Sequence, residues 1–135
     1  MKNLKTLIKL HKNNLDNLVK QISAMQDSKI IIENSLRRLE QEVASESEKF
    51  LSTEYGFVLD QYLINARAQK KQYQNRVEQL HHKIQKAQLD LHEEFGETKK
   101  LEIALQNRET KVQELEKSTE AKEIDAINIV RYKKQ

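Results

Sequence analysis

The stretch that decides the fold is Ser52-Thr53-Glu54-Tyr55-Gly56, which separates two long helical patterns. Glycine in a helix interior costs about 1 kcal/mol, and serine and threonine favour helix caps over helix interiors. The only other glycine is Gly96, and the helical pattern continues through it. We therefore predict a single domain over residues 1–135, with helix 1 at about 3–51, a turn at about 52–57 and helix 2 at about 58–132.

Apolar residues on both sides of the turn recur at alternating steps of four and three, the pattern of a coiled-coil seam. A few polar residues interrupt each run. The first run is Leu4, Ile8, His11, Leu15, Leu18, Ile22, Met25, Lys29, Ile32, Leu36, Leu39, Val43, Glu46 and Phe50. The second is Leu59, Leu63, Ala66, Lys70, Tyr73, Val77, Leu80, Ile84, Ala87, Leu91, Glu94, Thr98, Leu101 and Leu105, continuing through Arg108, Val112 and Leu115.

Folding the chain back at residues 54–55 brings the two runs into one antiparallel register. The numbers of facing residues must then add to a constant, and for these runs the constant is 109. Examples are Leu4 with Leu105, Ile8 with Leu101, Leu18 with Leu91, Ile32 with Val77 and Phe50 with Leu59. His11 falls opposite Thr98, and such a polar layer can fix the register. A continuous helix that dimerises in parallel is the rival architecture, and it requires Gly56 to be helical.

Helix 2 is predicted to extend beyond helix 1. Residues from about Asn107 to Gln135 have no partner in this register, yet they include several apolar side chains. These are Val112, Leu115, Ile124, Ile127, Ile129 and Val130. An isolated helix of this kind is marginal in water, and its exposed apolar residues favour a partner. The predicted fold is therefore all-α, a long antiparallel two-helix coiled-coil hairpin with an overhanging C-terminal helix.

Composition argues against an enzyme, a disulfide-stabilised protein and a membrane span. The chain has no Cys, Pro or Trp, a net charge of +3 and no long apolar run. Among the histidines at 11, 81, 82 and 92, His81 and His82 point about 100° apart on a helix and His92 lies nearly three turns further on, so we expect no metal site, and no cofactor motif occurs. Lysines at 2, 5, 9 and 12 and the basic residues of 66–86 lack the aromatic interleaving of nucleic-acid binders, so we expect no nucleic-acid partner. Without a signal segment, we expect a cytoplasmic protein.

Three segments resemble the FliJ family of flagellar type III export proteins, in its alphaproteobacterial form. The opening Leu4-x-x-Leu7-Ile8-Lys9-Leu10-His11 is similar to the start of the family's sequences. Residues 62–102 resemble the family in the order and spacing of their residues. The ending from Glu123 to Arg131 resembles its acidic-then-arginine segment, although Ala126 replaces the usual second acid.

This resemblance implies a coiled-coil stalk, similar to that of rotary ATPases, that couples the export ATPase ring to the membrane export gate and escorts export chaperones. It implies a location at the cytoplasmic face of the inner membrane, with at most peripheral membrane contact. The expected partner-binding residues are Lys2, Lys5, Leu7, Lys9, Ile124, Ile127, Val130 and Arg131. Two alternatives stay open: a prefoldin-like holdase chaperone and a generic structural coiled-coil dimer.

Overall fold

The computed structural model describes the backbone of residues 2–50 and 56–134. It contains two α-helices, α1 at Lys2–Phe50 and α2 at Gly56–Lys134. The prediction of an all-α hairpin of two long helices is confirmed, because α1 packs against α2 and no strand occurs in the described ranges. Residues 52–55 of the predicted turn, and residue 51 at the predicted end of helix 1, lie outside the described residues. Gly56 and Phe57, which we assigned to the turn, are helical.

The predicted seam forms the interface between the helices. Every seam position from Leu4 to Phe50 and from Leu59 to Leu105 is buried or half-buried. The most buried side chains in the described ranges all lie on this seam: Ile8, Ile22, Leu39, Ala66, Ile84, Ala87 and Thr98. No described side chain is completely enclosed. The apolar core is therefore a narrow line between two helices, as expected for a coiled coil.

The chain divides into two units, each containing part of both helices. The central unit comprises residues 16–92 and the terminal unit comprises residues 1–15 and 93–135. In the central unit, Ile22 packs with Ile84 and Ala87, and Met25 and Leu91 pack against this cluster. Ile22 with Ala87 and Met25 with Ile84 are layers of the predicted register, so the register is confirmed there.

Polar seam residues in the central unit extend their side chains to charged neighbours. Lys70 lies in the layer of Leu39, and its Nζ is 3.5 Å from a carboxylate oxygen of Glu40 on the other helix. Lys29 is 3.9 Å from Glu33, one turn along the same helix. The long lysine side chain keeps its methylenes at the seam and its charge near solvent. A lysine can therefore face an apolar residue across the seam.

Candidate partner-binding surfaces

A polar cluster joins α1 to α2 in the terminal unit. His11 Nδ1 donates a hydrogen bond to Glu94 Oε1, and Asn14 Nδ2 donates to the same oxygen over 3.4 Å. Thr98 is only 3% exposed, and its hydroxyl donates to the backbone carbonyl of Glu94 over 2.8 Å. Thr98 thus satisfies its hydroxyl within α2, and His11 finds its partner one turn earlier on that helix. The predicted register places Glu94 opposite Leu15, and the seam pattern does not report its bond to His11.

Glu102 connects the two helices on one flank of the seam. Its carboxylate lies 3.4 Å from Lys12 Nζ on α1 and 3.4 Å from Lys99 Nζ on α2. Desolvation raises the pKa of Glu102, but hydrogen bonds and charge attraction from Lys99 and Lys12 outweigh it, so the pKa is lowered from its ordinary value of 4.5. Lys99 also lies over the ring of Phe95, 5.4 Å from its centroid. The flank is therefore an ion-paired edge of the helix interface.

The N-terminal end of α1 is basic and partly apolar. Lys2, Lys5 and Lys9 are exposed, and Leu7 and Leu10 are 40% and 55% exposed. The first turn of α1 contains no acidic residue. Lysines near a helix N-terminus add to the positive end of the helix dipole, so this end of α1 attracts acidic groups.

The C-terminal part of α2 is fully exposed. Every residue from 106 to 133 is exposed, whereas Leu101 and Leu105 are half-buried against α1. The exposed fractions of its apolar side chains are 68% for Leu115, 57% for Ile124, 53% for Ile127, 56% for Ile129 and 52% for Val130. The predicted overhang is therefore present, and residues 106–133 are called the overhang below.

The structure does not bring the predicted partner-binding residues into one patch. Lys2, Lys5, Leu7 and Lys9 lie on the first turns of α1, where Leu4 faces Leu105 in the register. Ile124 lies 19 residues beyond Leu105 on α2, which is about 28 Å along a helix. Ile124, Ile127, Val130 and Arg131 form a second, separate group near the end of the overhang. The predicted partner-binding residues therefore form two surfaces, one on each helix.

The described residues contain no group of three or more side chains that could hold a metal ion. His81 and His82 are adjacent, with ring centroids 6.0 Å apart, and His82 Nε2 lies 3.8 Å from Glu78. Within the described ranges, neither helix has an 18-residue window apolar enough to cross a membrane. The basic end of α1 and the overhang are exposed features suited to recognition.

These features define an antiparallel coiled-coil protein in which one helix extends well beyond the other. The family model described as "Flagellar FliJ protein" matches residues 1–135, and the chain therefore belongs to the FliJ family. The resemblance of its three segments to that family is confirmed. Comparison with individual curated proteins and with solved structures gave no significant match. Family membership implies a role related to flagellar protein export.

Proposed function

We propose that the chain is a non-catalytic stalk or adaptor of the flagellar type III export apparatus. In this role it couples the export ATPase ring to the export gate and escorts export chaperones at the cytoplasmic face of the inner membrane. The proposal rests on the family match over residues 1–135 and on the exposed apolar residues of the overhang. Exposed apolar residues on a helix with no partner favour binding to another protein.

The exposed apolar side chains of the overhang are the main structural support for this proposal. Ile124, Ile127 and Val130 are each more than half exposed, and burying them against a partner would stabilise the complex by roughly 1.5–3 kcal/mol per fully buried side chain. Arg131 lies beside them and offers a charged hydrogen-bond donor group. The basic end of α1 provides a second contact surface for acidic groups. It lies beside the part of α2 around Leu105, not beside Ile124.

Deletion of residues 120–135 tests the proposal. The deletion leaves every seam layer between Leu4 and Leu105 intact, so the hairpin should keep its helicity by circular dichroism. We expect the truncated chain to lose binding to the purified export ATPase and any stimulation of its ATP hydrolysis. A truncated chain that still binds and stimulates the ATPase would contradict the proposal. A variant carrying Phe57→Ser, which removes an 83% exposed side chain at the other end of α2, serves as control.

A prefoldin-like holdase is disfavoured by the connection between the helices. Prefoldin-like chains place β-hairpins there, but only five residues separate Phe50 from Gly56. A generic coiled-coil dimer predicts twice the chain mass in solution. Light scattering of the purified chain distinguishes it from the hairpin, for which we expect a monomer.

A further inference from the structure

Four glutamates recur at seven-residue intervals along one flank of the α2 seam: Glu102, Glu109, Glu116 and Glu123. Each directly follows a seam position, so all four lie on the same side of the seam. The first belongs to the part of α2 that packs against α1. The other three lie in the overhang, where α1 is absent from the opposite side.

Glu102 shows that a glutamate on this flank of the seam forms an ion pair when another helix lies opposite. Its carboxylate pairs with Lys12 of α1 at 3.4 Å. Lys12 itself directly follows a seam residue, His11, so the pair joins equivalent flanks of the two helices. Flanking charges of this kind select the partner and its register in coiled coils.

Beyond Leu105 the same flank is unoccupied by α1. Glu109, Glu116 and Glu123 are exposed, and none of them forms an ion pair with a side chain that the structure describes. The seam beside them stays partly apolar, with Val112, Leu115 and Ile129 exposed by 39%, 68% and 56%. Arg108, Thr119, Lys122 and Ala126 occupy the other seam positions up to Ile129. Ala126 is apolar, and long polar side chains can lie along a seam with their charge near solvent.

We propose that the seam face of the overhang binds an amphipathic helix of a partner protein. That helix carries apolar residues at steps of four and three and Lys or Arg at seven-residue intervals on one flank. It continues the groove that α1 occupies, and its basic residues pair with Glu109, Glu116 and Glu123 as Lys12 pairs with Glu102. Charge complementarity also excludes acidic helices, because like charges facing each other across an interface are repelled.

This surface overlaps in part with the one used in the proposed export function, because Val130 continues the glutamate row at the next seven-residue step. At about 100° per residue, Ile124 and Arg131 lie on the side of the helix away from Leu115 and Ile129. The peptide experiment below contains no export ATPase, so its failure and the failure of the proposed export function are measured separately.

Binding of two designed peptides to the full chain tests the inference. Both peptides span about three heptads with Leu at the seam positions, and their flanking positions are all Lys in one peptide and all Glu in the other. We expect the Lys peptide to bind at least about tenfold more tightly than the Glu peptide, measured by fluorescence anisotropy. Equal affinities, or no binding of the Lys peptide, would overturn the proposal.

Two charge-matched variants locate the binding site. Glu116→Lys/Glu123→Lys changes the glutamate row, whereas Glu93→Lys/Glu114→Lys changes two exposed glutamates that precede seam residues and lie about 150° away from the row. We expect the first variant to bind the Lys peptide about tenfold more weakly and the second to change binding less than twofold. Equal losses in both variants would reduce the effect to net charge and overturn the proposal.

Light scattering of the chain without peptide tests whether a second copy of the chain occupies this face instead. A chain that self-associates through this face, with association abolished by Glu116→Lys/Glu123→Lys, would have a second copy in the groove. That result would overturn the assignment to a partner helix.

Discussion

His11 on α1 binds the carboxylate of Glu94 on α2, one helical turn before Thr98, the residue that faces His11 in the register. Both side chains are half-buried, and Asn14 donates to the same carboxylate. A partly buried polar group is costly when its partner is removed, because it loses water without gaining a hydrogen bond. The pair therefore specifies one alignment of the helices in the terminal unit, since any slip of a turn separates His11 from Glu94.

A double-mutant cycle measures this contact. We expect His11→Ala and Glu94→Ala each to lower the free energy of unfolding, with a coupling energy of about 0.5–2 kcal/mol between them. Urea denaturation at one fixed pH gives the four stabilities. Additive effects of the two substitutions would show that the contact contributes nothing.

Gly96→Ala is expected to stabilise the hairpin. Gly96 is inside α2, and a Cβ added there meets no atom within 4 Å. Alanine is favoured over glycine in a helix interior by about 1 kcal/mol, so the free energy of unfolding should rise by roughly that amount. Gly56→Ala is the matched control, because Gly56 is also unhindered but begins α2. At the helix start the gain should be only a few tenths of a kcal/mol, since glycine is nearly as favourable there as a capping residue. A loss of stability in Gly96→Ala would contradict the helical conformation at this position.

Two isoleucines that differ in burial should differ in how much their substitution lowers the free energy of unfolding. Ile84 is 6% exposed in the central unit, whereas Ile129 is 56% exposed in the overhang. We expect Ile84→Ala to lower the free energy of unfolding by about 2–3 kcal/mol, because it opens the narrow core. Ile129→Ala should change it by less than about 0.5 kcal/mol. Thermal denaturation followed by circular dichroism compares the two, and similar losses would mean that the overhang is packed against another part of the protein.

Glu102 predicts a pH dependence at acidic pH. Lys99 and Lys12 hold its pKa below 4.5 in the folded chain, so the ionised carboxylate stabilises the fold above that value. This stabilisation is lost as the pH falls through the lowered pKa, and the stability difference between the wild type and Glu102→Gln should disappear with it. The pKa itself is measured by NMR titration of the Glu102 carboxyl carbon. In Lys12→Met/Lys99→Met we expect this pKa to rise, and an unchanged value would contradict the ion-paired flank.

The sequence predicted the seam, its register and the overhang because all three follow from the period of apolar residues. The period shows which face of each helix is buried. That was sufficient to predict that Ile22 faces Ala87 and that Met25 faces Ile84. The period does not report how far a long side chain reaches, so Glu94 was matched with Leu15 instead of His11. The start of α2 at Gly56 was also missed, because helix propensity at a terminus is too weak to fix a boundary within two residues.

The candidate surfaces were predicted less completely than the fold. The exposed isoleucines of the overhang followed from the lack of facing residues. The glutamate row is visible in the sequence as a seven-residue spacing, but the role we propose for it rests on the contact between Lys12 and Glu102. The antiparallel seam specifies which flanks meet, but it does not report that the Lys12 and Glu102 side chains reach each other.

The central claim, that the end of the overhang binds the export ATPase, is tested most directly by photo-crosslinking. A benzophenone amino acid replaces Ile127 in one variant and Ile30 in the other; both native side chains are 53% exposed, one on the overhang and one on α1 of the central unit. Each variant is mixed with the purified export ATPase, irradiated and analysed by mass spectrometry. We predict crosslinks to the ATPase from position 127 and none from position 30. Crosslinks from position 30 alone, or equal crosslinking from both positions, would contradict the claim.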